Sequence, residues 1–355
     1  MLSASPSLYD IHQTFEENFN NPSISVTPTL RIWPDKTQWV SFLGYSLASK
    51  IGVAACAVTT GKGIALLAQL GFDILTYKTI RCKAYPTHPL PNIVPIQVDK
   101  QFDYSDLDEV ISTKKIIEIN NKIAISNSFG NGCLEPRVVM QDIAFSKSAL
   151  VDGQVLIVSV YGEGHSLSAM SQDFMTAALM AKEAGADIIE LNFSCPNLMK
   201  SDEPLYRNMD CVSQITTRVV KCVGDIPLLL KIGFIHEHEF PLKLLISAAR
   251  AGARGISAIN SISMRVLNQN HRPAFGKRIV SGISGYPIRR LALQSVKKLT
   301  QINQKEKLNL TIVGMGGITL AEHFDEFFDS GADAVLSATG VMWNPYLAMQ
   351  FHQQS

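Results

Sequence analysis

Residues 155–192 read VLIVSVYGEGHSLSAMSQDFMTAALMAKEAGADIIELN. The first six, Val155–Val160, form a run that is apolar but for Ser159 and mostly β-branched, which suits a strand covered on both faces. Apolar positions then recur with helical spacing at Phe174, Ala177, Ala178 and Ala181, within Ser171–Ala184. Gly185-Ala186-Asp187 closes that helix, with glycine as its left-handed cap, and a second apolar run follows at once, Asp187–Asn192. Strand, helix, glycine turn and strand make the repeating unit of a parallel sheet.

The same unit recurs on both sides. Its strands are expected at Ile51–Ala55, Ile74–Lys78, Val155–Val160, Asp187–Asn192, Pro227–Lys231, Gly255–Asn260, Leu310–Gly314 and Ala334–Ala338. Helical periods fall at Gly63–Leu70, Ser171–Ala184, Cys211–Val223, Leu242–Ala251 and Ile288–Ile302. Gly71-Phe72-Asp73, Gly252-Ala253-Arg254 and Gly331-Ala332-Asp333 repeat the small-residue turn. Eight units in a row favour a parallel (β/α)8 TIM barrel, an α/β fold, over an open doubly wound sheet. Residues 41–355 are expected to form that single domain, and residues 1–40 an N-terminal extension. The span 81–150 is too long for an ordinary connection and reads as an insertion after strand two, with short strands at Ile93–Gln97 and Ile123–Ser126.

Composition narrows the class. With 355 residues, 46% hydrophobic and 18% charged, the chain can bury a large core. A formal net charge of +1 argues against nucleic acid as partner. Six cysteines without a CxxC pair or a secretory signal fit a reducing cytoplasm rather than a disulfide framework. His236 and His238 lack the spacing of a helical zinc motif, so no metal is expected. No apolar run approaches the roughly 20 residues that span a bilayer. Leu8, Ile11, Phe15 and Phe19 suggest an amphipathic helix. Asp10, Glu16 and Glu17 favour packing on protein over an anionic membrane surface.

Polar residues unsuited to a core collect at the strand ends: Lys78, Asn192, Lys231, Asn260 and Ser261, with Ser194, Cys195 and Asn197 just beyond. A barrel brings all of them to one mouth. Val313-Gly314-Met315-Gly316-Gly317-Ile318 and Ala338-Thr339-Gly340 follow strands seven and eight, where backbone amides and a helix N-terminus suit a phosphate.

Asn192-Phe193-Ser194-Cys195-Pro196-Asn197 resembles the signature of the dihydroorotate dehydrogenases, and its cysteine that of the soluble class 1 form. Lys78 with Pro89-Leu90-Pro91, Asn127-Ser128-Phe129-Gly130, Lys231 and Ile259-Asn260-Ser261 resemble further motifs of that family, in order, over roughly residues 51–351. The resemblance implies an FMN flavoprotein that oxidises dihydroorotate in pyrimidine biosynthesis. Cys195 would take the C5 proton and flavin N5 the C6 hydride, with Lys78 catalytic beside both flavin and substrate carboxylate. Asn127, Asn192, Asn197, Asn260 and Ser261 would hold the substrate. Lys231 would face the flavin N1/O2 edge. Ala54, Lys78, Asn192, Ile259, Ser261, Gly285, Gly316, Gly317, Ala338 and Thr339 would complete the FMN shell. A homodimer and an electron-transfer partner are expectations of the family, and the electron acceptor is not legible.

Departures stand beside the matches. Cys56, within Ala54-Ala55-Cys56-Ala57, occupies a place where the family usually has glycine near the flavin. Ala338-Thr339 replaces Gly-Thr, and Leu198-Met199-Lys200-Ser201 lacks the usual Pro-Gly of the catalytic loop. The competing readings are a dihydropyrimidine dehydrogenase-like flavoprotein and a flavin-free, phosphate-binding aldolase-type barrel with Lys231 as Schiff-base amine.

Overall fold

The structure, a computed structural model, describes residues 8–22, 26–27, 31–113, 122–194, 203–236 and 240–354. In chain order its elements begin with α1 (Phe15–Asn20), β1 (Val40–Phe42), β2 (Tyr45–Leu47), β3 (Ile51–Val53), α2 (Gly61–Gln69) and β4 (Ile74–Ile80). There follow β5 (Ile93–Pro95), β6 (Glu109–Ile111), β7 (Ala124–Asn127), α3 (Pro136–Ser148), β8 (Val155–Val160), α4 (Leu167–Glu183) and β9 (Ile188–Asn192). Next come α5 (Met209–Val223), β10 (Leu228–Ile232), α6 (Phe240–Arg250), β11 (Gly255–Ala258), β12 (Ile262–Leu267) and β13 (Val280–Gly285). The chain ends with α7 (Arg289–Lys305), β14 (Thr311–Met315), α8 (Glu322–Asp329), β15 (Ala334–Ser337), α9 (Thr339–Trp343) and α10 (Leu347–Gln354).

Eight parallel strands close on themselves in the order β3-β4-β8-β9-β10-β11-β14-β15, with β15 pairing back to β3. These are the eight runs read from the sequence, with ends shifted by a few residues. Their side chains alternate between two cores. Ile74, Val155, Ile157, Ile188, Leu229, Val313, Ala334 and Leu336 form one cluster inside the barrel. The β1-β2 hairpin adds Phe42 and Leu47 to that cluster and so closes the end of the barrel where the strands begin. The alternate strand residues, such as Leu75, Leu156, Val158, Ile189, Leu191 and Leu230, pack outward against the helices.

Helix α4 shows how the local sequence encodes its place. Ser166 caps it by accepting from Ala169 N at 3.2 Å. Met170, Phe174, Ala177, Ala178 and Ala181 form its buried face. Gly185 ends it at φ 100°, a conformation that favours glycine. The aspartate of the turn has a second task. Asp187 accepts Leu156 N at 2.8 Å, and Asp333 accepts Ile312 N at 2.7 Å, so each satisfies a backbone amide of the preceding strand.

Two features depart from expectation. The span 81–150 is not insertion throughout, because Pro136–Ser148 is the barrel helix α3, packed beside α2, α4 and β8. The inserted part is joined by a hairpin that sequence reading missed. β12 and β13 follow strand six and complete a five-stranded sheet, β5-β7-β13-β12-β6. Their buried positions alternate with exposed or half-buried ones, a two-residue period masked by Ser281, Gly282, Ser284 and Gly285. Among the described residues, no helix is long and apolar enough to cross a membrane.

Candidate active site

Strands β4, β9, β10 and β11 deliver the polar residues to one end of the barrel. Asn192 and Lys231 are register partners on β9 and β10, and both are buried. A continuous hydrogen-bond chain crosses the mouth. Asn260 Nδ2 donates to Ser194 Oγ, whose hydroxyl donates to Asn192 Oδ1 at 2.6 Å. Asn192 Nδ2 donates to Thr79 Oγ1 at 3.2 Å, and Thr79 Oγ1 lies 3.0 Å from Ser159 Oγ. Asn260 Oδ1 also accepts Ser261 N at 2.9 Å. The chain fixes the amide orientations of Asn192 and Asn260 before any ligand arrives.

Lys78 lies at the irregular end of β4, where register with β8 shifts between Tyr77 and Ile80. Its amine donates to Thr79 O at 3.3 Å and to Gly132 O. Burial pushes its pKa down, while the nearby Cys56, Cys133 and Glu16 oppose that shift. The ring of Phe15 covers the same amine, with its centroid 4.6 Å from Nζ. Lys231 is arranged differently. It is 4% exposed, its amine makes no hydrogen bond to a described residue, and the carboxylate of Glu190 lies 3.9 Å away.

The sheet formed by the two insertions brings Asn127 over this mouth. Asn127 Oδ1 accepts from Ser284 Oγ at 3.3 Å, and its register partner is Gly282. A Cβ on Gly282 would overlap Ser261 Oγ and come within 3.4 Å of Asn127 Oδ1, so the bare glycine lets the two approach. The glycine loops also converge. Gly316 and Gly317 adopt φ 121° and 82°, and Gly285 adopts φ 89°. A Cβ on Gly316 would lie 3.3 Å from Ile259, and one on Gly285 3.3 Å from Thr339. Ala54 N donates to Ser337 O at 2.9 Å, one residue before Ala338. The structure therefore gathers Ala54, Ile259, Gly285, Gly316, Gly317, Ala338 and Thr339 at the rim. Cys56 keeps a positive φ of 77°, the backbone of a glycine carried by a cysteine. Cys195, Asn197 and 198–201 lie outside the described residues, directly after Ser194.

A family model described as dihydroorotate dehydrogenase matches residues 38–354. The chain belongs to the dihydroorotate dehydrogenase family. It is 37% identical to a dihydroorotate dehydrogenase of Dictyostelium discoideum over 98% of this chain and 97% of that one. It is 30% identical to the catalytic subunit of a Bacillus thuringiensis dihydroorotate dehydrogenase B (NAD(+)), over 50% of this chain and 55% of that one. The ligand-free DHODH structure from Eimeria tenella superposes with a TM-score of 0.71 at 19% identity, covering 92% of this chain and 89% of that one. As a member of the dihydroorotate dehydrogenase family, the chain is an oxidoreductase acting on a CH–CH bond.

Sequence reading missed the part that several residues play at this mouth. Thr79 and Ser159 end the hydrogen-bond chain, Phe15 covers Lys78, and Glu190 lies beside Lys231. Glu190 did carry a signal: a carboxylate inside an otherwise apolar strand run, two residues before Asn192 and therefore on the same side of β9. Phe15 carried none that pointed to Lys78, because 63 positions separate them.

Proposed function

We propose that this protein oxidises dihydroorotate to orotate with FMN, in the manner of a class 1 enzyme with Cys195 as base. The observation that carries the reading is the chain Asn260–Ser194–Asn192–Thr79, which passes through Ser194, the residue before Cys195, and includes the register partner of buried Lys231 and the neighbour of buried Lys78. An amide side chain offers both donor and acceptor, which suits a ring of alternating N–H and C=O groups. Asn127, Asn192, Asn197, Asn260 and Ser261 hold that ring.

The residues present fit FMN. Lys231 offers a buried ammonium free of hydrogen bonds to described residues, suited to the N1/O2 edge of a flavin. Gly285, Gly316, Gly317 and Thr339 gather where a barrel holds phosphate, with Ala54, Ile259 and Ala338 beside them. FMN, when bound, supplies N5 as acceptor of the C6 hydride. Cys195 takes the C5 proton on its sulfur. Lys78 binds the substrate carboxylate, and its amine is already held by Thr79 O and Gly132 O. The same reading places the protein in pyrimidine biosynthesis, in the cytoplasm.

Purified protein mixed with dihydroorotate and an artificial electron acceptor tests this directly. Orotate should form with the wild type and fall by orders of magnitude with Cys195→Ala. Turnover of dihydrouracil but not dihydroorotate would favour the dihydropyrimidine reading instead.

A further inference from the structure

Glu190 occupies the middle of β9 and is 0% exposed. Neither of its carboxylate oxygens accepts a hydrogen bond from a described residue. A carboxylate in such a place is costly unless a cation compensates it. Lys231 supplies that cation, with Nζ 3.9 Å from Glu190 Oε1 and side-chain exposures of 5% and 1%. The register explains the geometry. Glu190 faces Leu229 across the β9–β10 pair, and Asn192 faces Lys231, so the carboxylate sits one inward step below the Lys231–Asn192 level. Ser159, its register partner on β8, has its hydroxyl engaged with Thr79 instead.

We propose that Glu190 is a positioning residue that acts through Lys231 and sets the positive charge presented to the bound flavin. This rests on the FMN reading above. At 3.9 Å the carboxylate compensates the ammonium without taking one of its hydrogen-bond donors. Those donors stay available to the group above, while the field at that group is that of an ion pair. Glu190 thereby holds down the electron affinity of the flavin and keeps Lys231 in place from beneath. Neither task requires it to touch substrate or cofactor.

Sulfite is the probe, because it adds reversibly to flavin N5 and its affinity rises with positive charge near N1. Flavin-loaded Glu190→Gln should bind sulfite about tenfold more tightly than wild type, with a more positive flavin midpoint potential. In a Lys231→Gln background the same substitution should change sulfite affinity by less than about twofold, since the charge it modulates is gone. Unchanged sulfite affinity in flavin-loaded Glu190→Gln would overturn the proposal. A second comparison needs no flavin. Apo-protein carrying Lys231→Gln alone should melt lower than the Glu190→Gln/Lys231→Gln double variant, because the single change leaves a buried carboxylate unpaired. Equal melting, or a less stable double variant, would overturn the pairing. A wild-type protein that takes up no FMN would sink the flavin reading, and the melting comparison would still decide the pair.

Discussion

The amine of Lys78 lies 4.6 Å from the ring centre of Phe15, so a residue of the first described helix covers the lysine at the end of the second barrel strand. Phe15 is 3% exposed, and Tyr9, earlier in the same segment, meets Phe129 edge-on at 5.6 Å. Phe129 belongs to the Asn127-Ser128-Phe129-Gly130 loop, so the N-terminal segment touches the candidate site at two points. Phe15→Ala removes a desolvated cation–π contact worth about 2 kcal/mol, together with buried apolar area. Limited proteolysis should cut this variant before Arg31 several-fold faster than wild type, leaving the barrel intact. Equal cutting rates would mean that the other contacts hold the segment alone.

Ser194 holds two asparagine side chains at once. Ser194→Ala leaves Asn260 Nδ2 and the buried Asn192 Oδ1 without their partner, a loss of about 1–2 kcal/mol at this half-buried site. Under the proposed function, KM for dihydroorotate should rise about tenfold or more while FMN content stays unchanged. Loss of FMN with an unchanged KM would place Ser194 on the cofactor instead.

Arg31 and Asp73 form a buried bidentate ion pair, 2.5 and 2.8 Å, with side-chain exposures of 5% and 0%. Ser49 Oγ adds a third bond to Asp73 at 2.6 Å. Arg31→Met should destabilise by about 3–5 kcal/mol, because it leaves the carboxylate buried without its cation. Arg31→Met/Asp73→Asn should recover part of that loss. Denaturant unfolding checks both variants, and a neutral Arg31→Met would show that the pair contributes nothing.

His323 gives a pH dependence of known sign. Burial, and then the Arg289 guanidinium against its Nε2, push its pKa from 6.5 down to about 3. Its Nδ1 accepts Thr319 N at 3.1 Å and Leu320 N at 3.2 Å, so the folded state needs the neutral ring. A depressed folded pKa means that this contribution is present above pH 6.5 and is lost as pH falls toward 3. His323→Asn keeps an acceptor and cannot charge. Its Tm should therefore fall less than that of the wild type between about pH 7 and about pH 4. Parallel Tm curves would remove His323 from the acid response.

The barrel was legible because its strands are buried on both faces. Val155–Val160 or Leu228–Ile232 can hardly be read otherwise, and the glycine turns at Gly71, Gly185, Gly252 and Gly331 mark where α2, α4, α6 and α8 stop. The hairpin β12-β13 escaped because it is a half-exposed sheet containing Gly282 and Gly285, where weak alternation looks like loop. Lys78, Asn192, Lys231 and Asn260 were legible as polar residues at the ends of apolar strands. Thr79 and Ser159 were not singled out, since hydroxyls are common in strands, and Glu190 was not, although its two-residue spacing from Asn192 puts both on the same side of β9. The contact between Phe15 and Lys78 is tertiary and left no local trace.

The most direct measurement is an anaerobic visible spectrum of the purified, FMN-loaded protein before and after dihydroorotate is added. Flavin bands that bleach with one equivalent of substrate, and orotate recovered in equal amount, are the expected result. Flavin bands that persist in excess dihydroorotate, or a protein that takes up no FMN, would contradict the assignment of this mouth as an FMN-dependent dihydroorotate site.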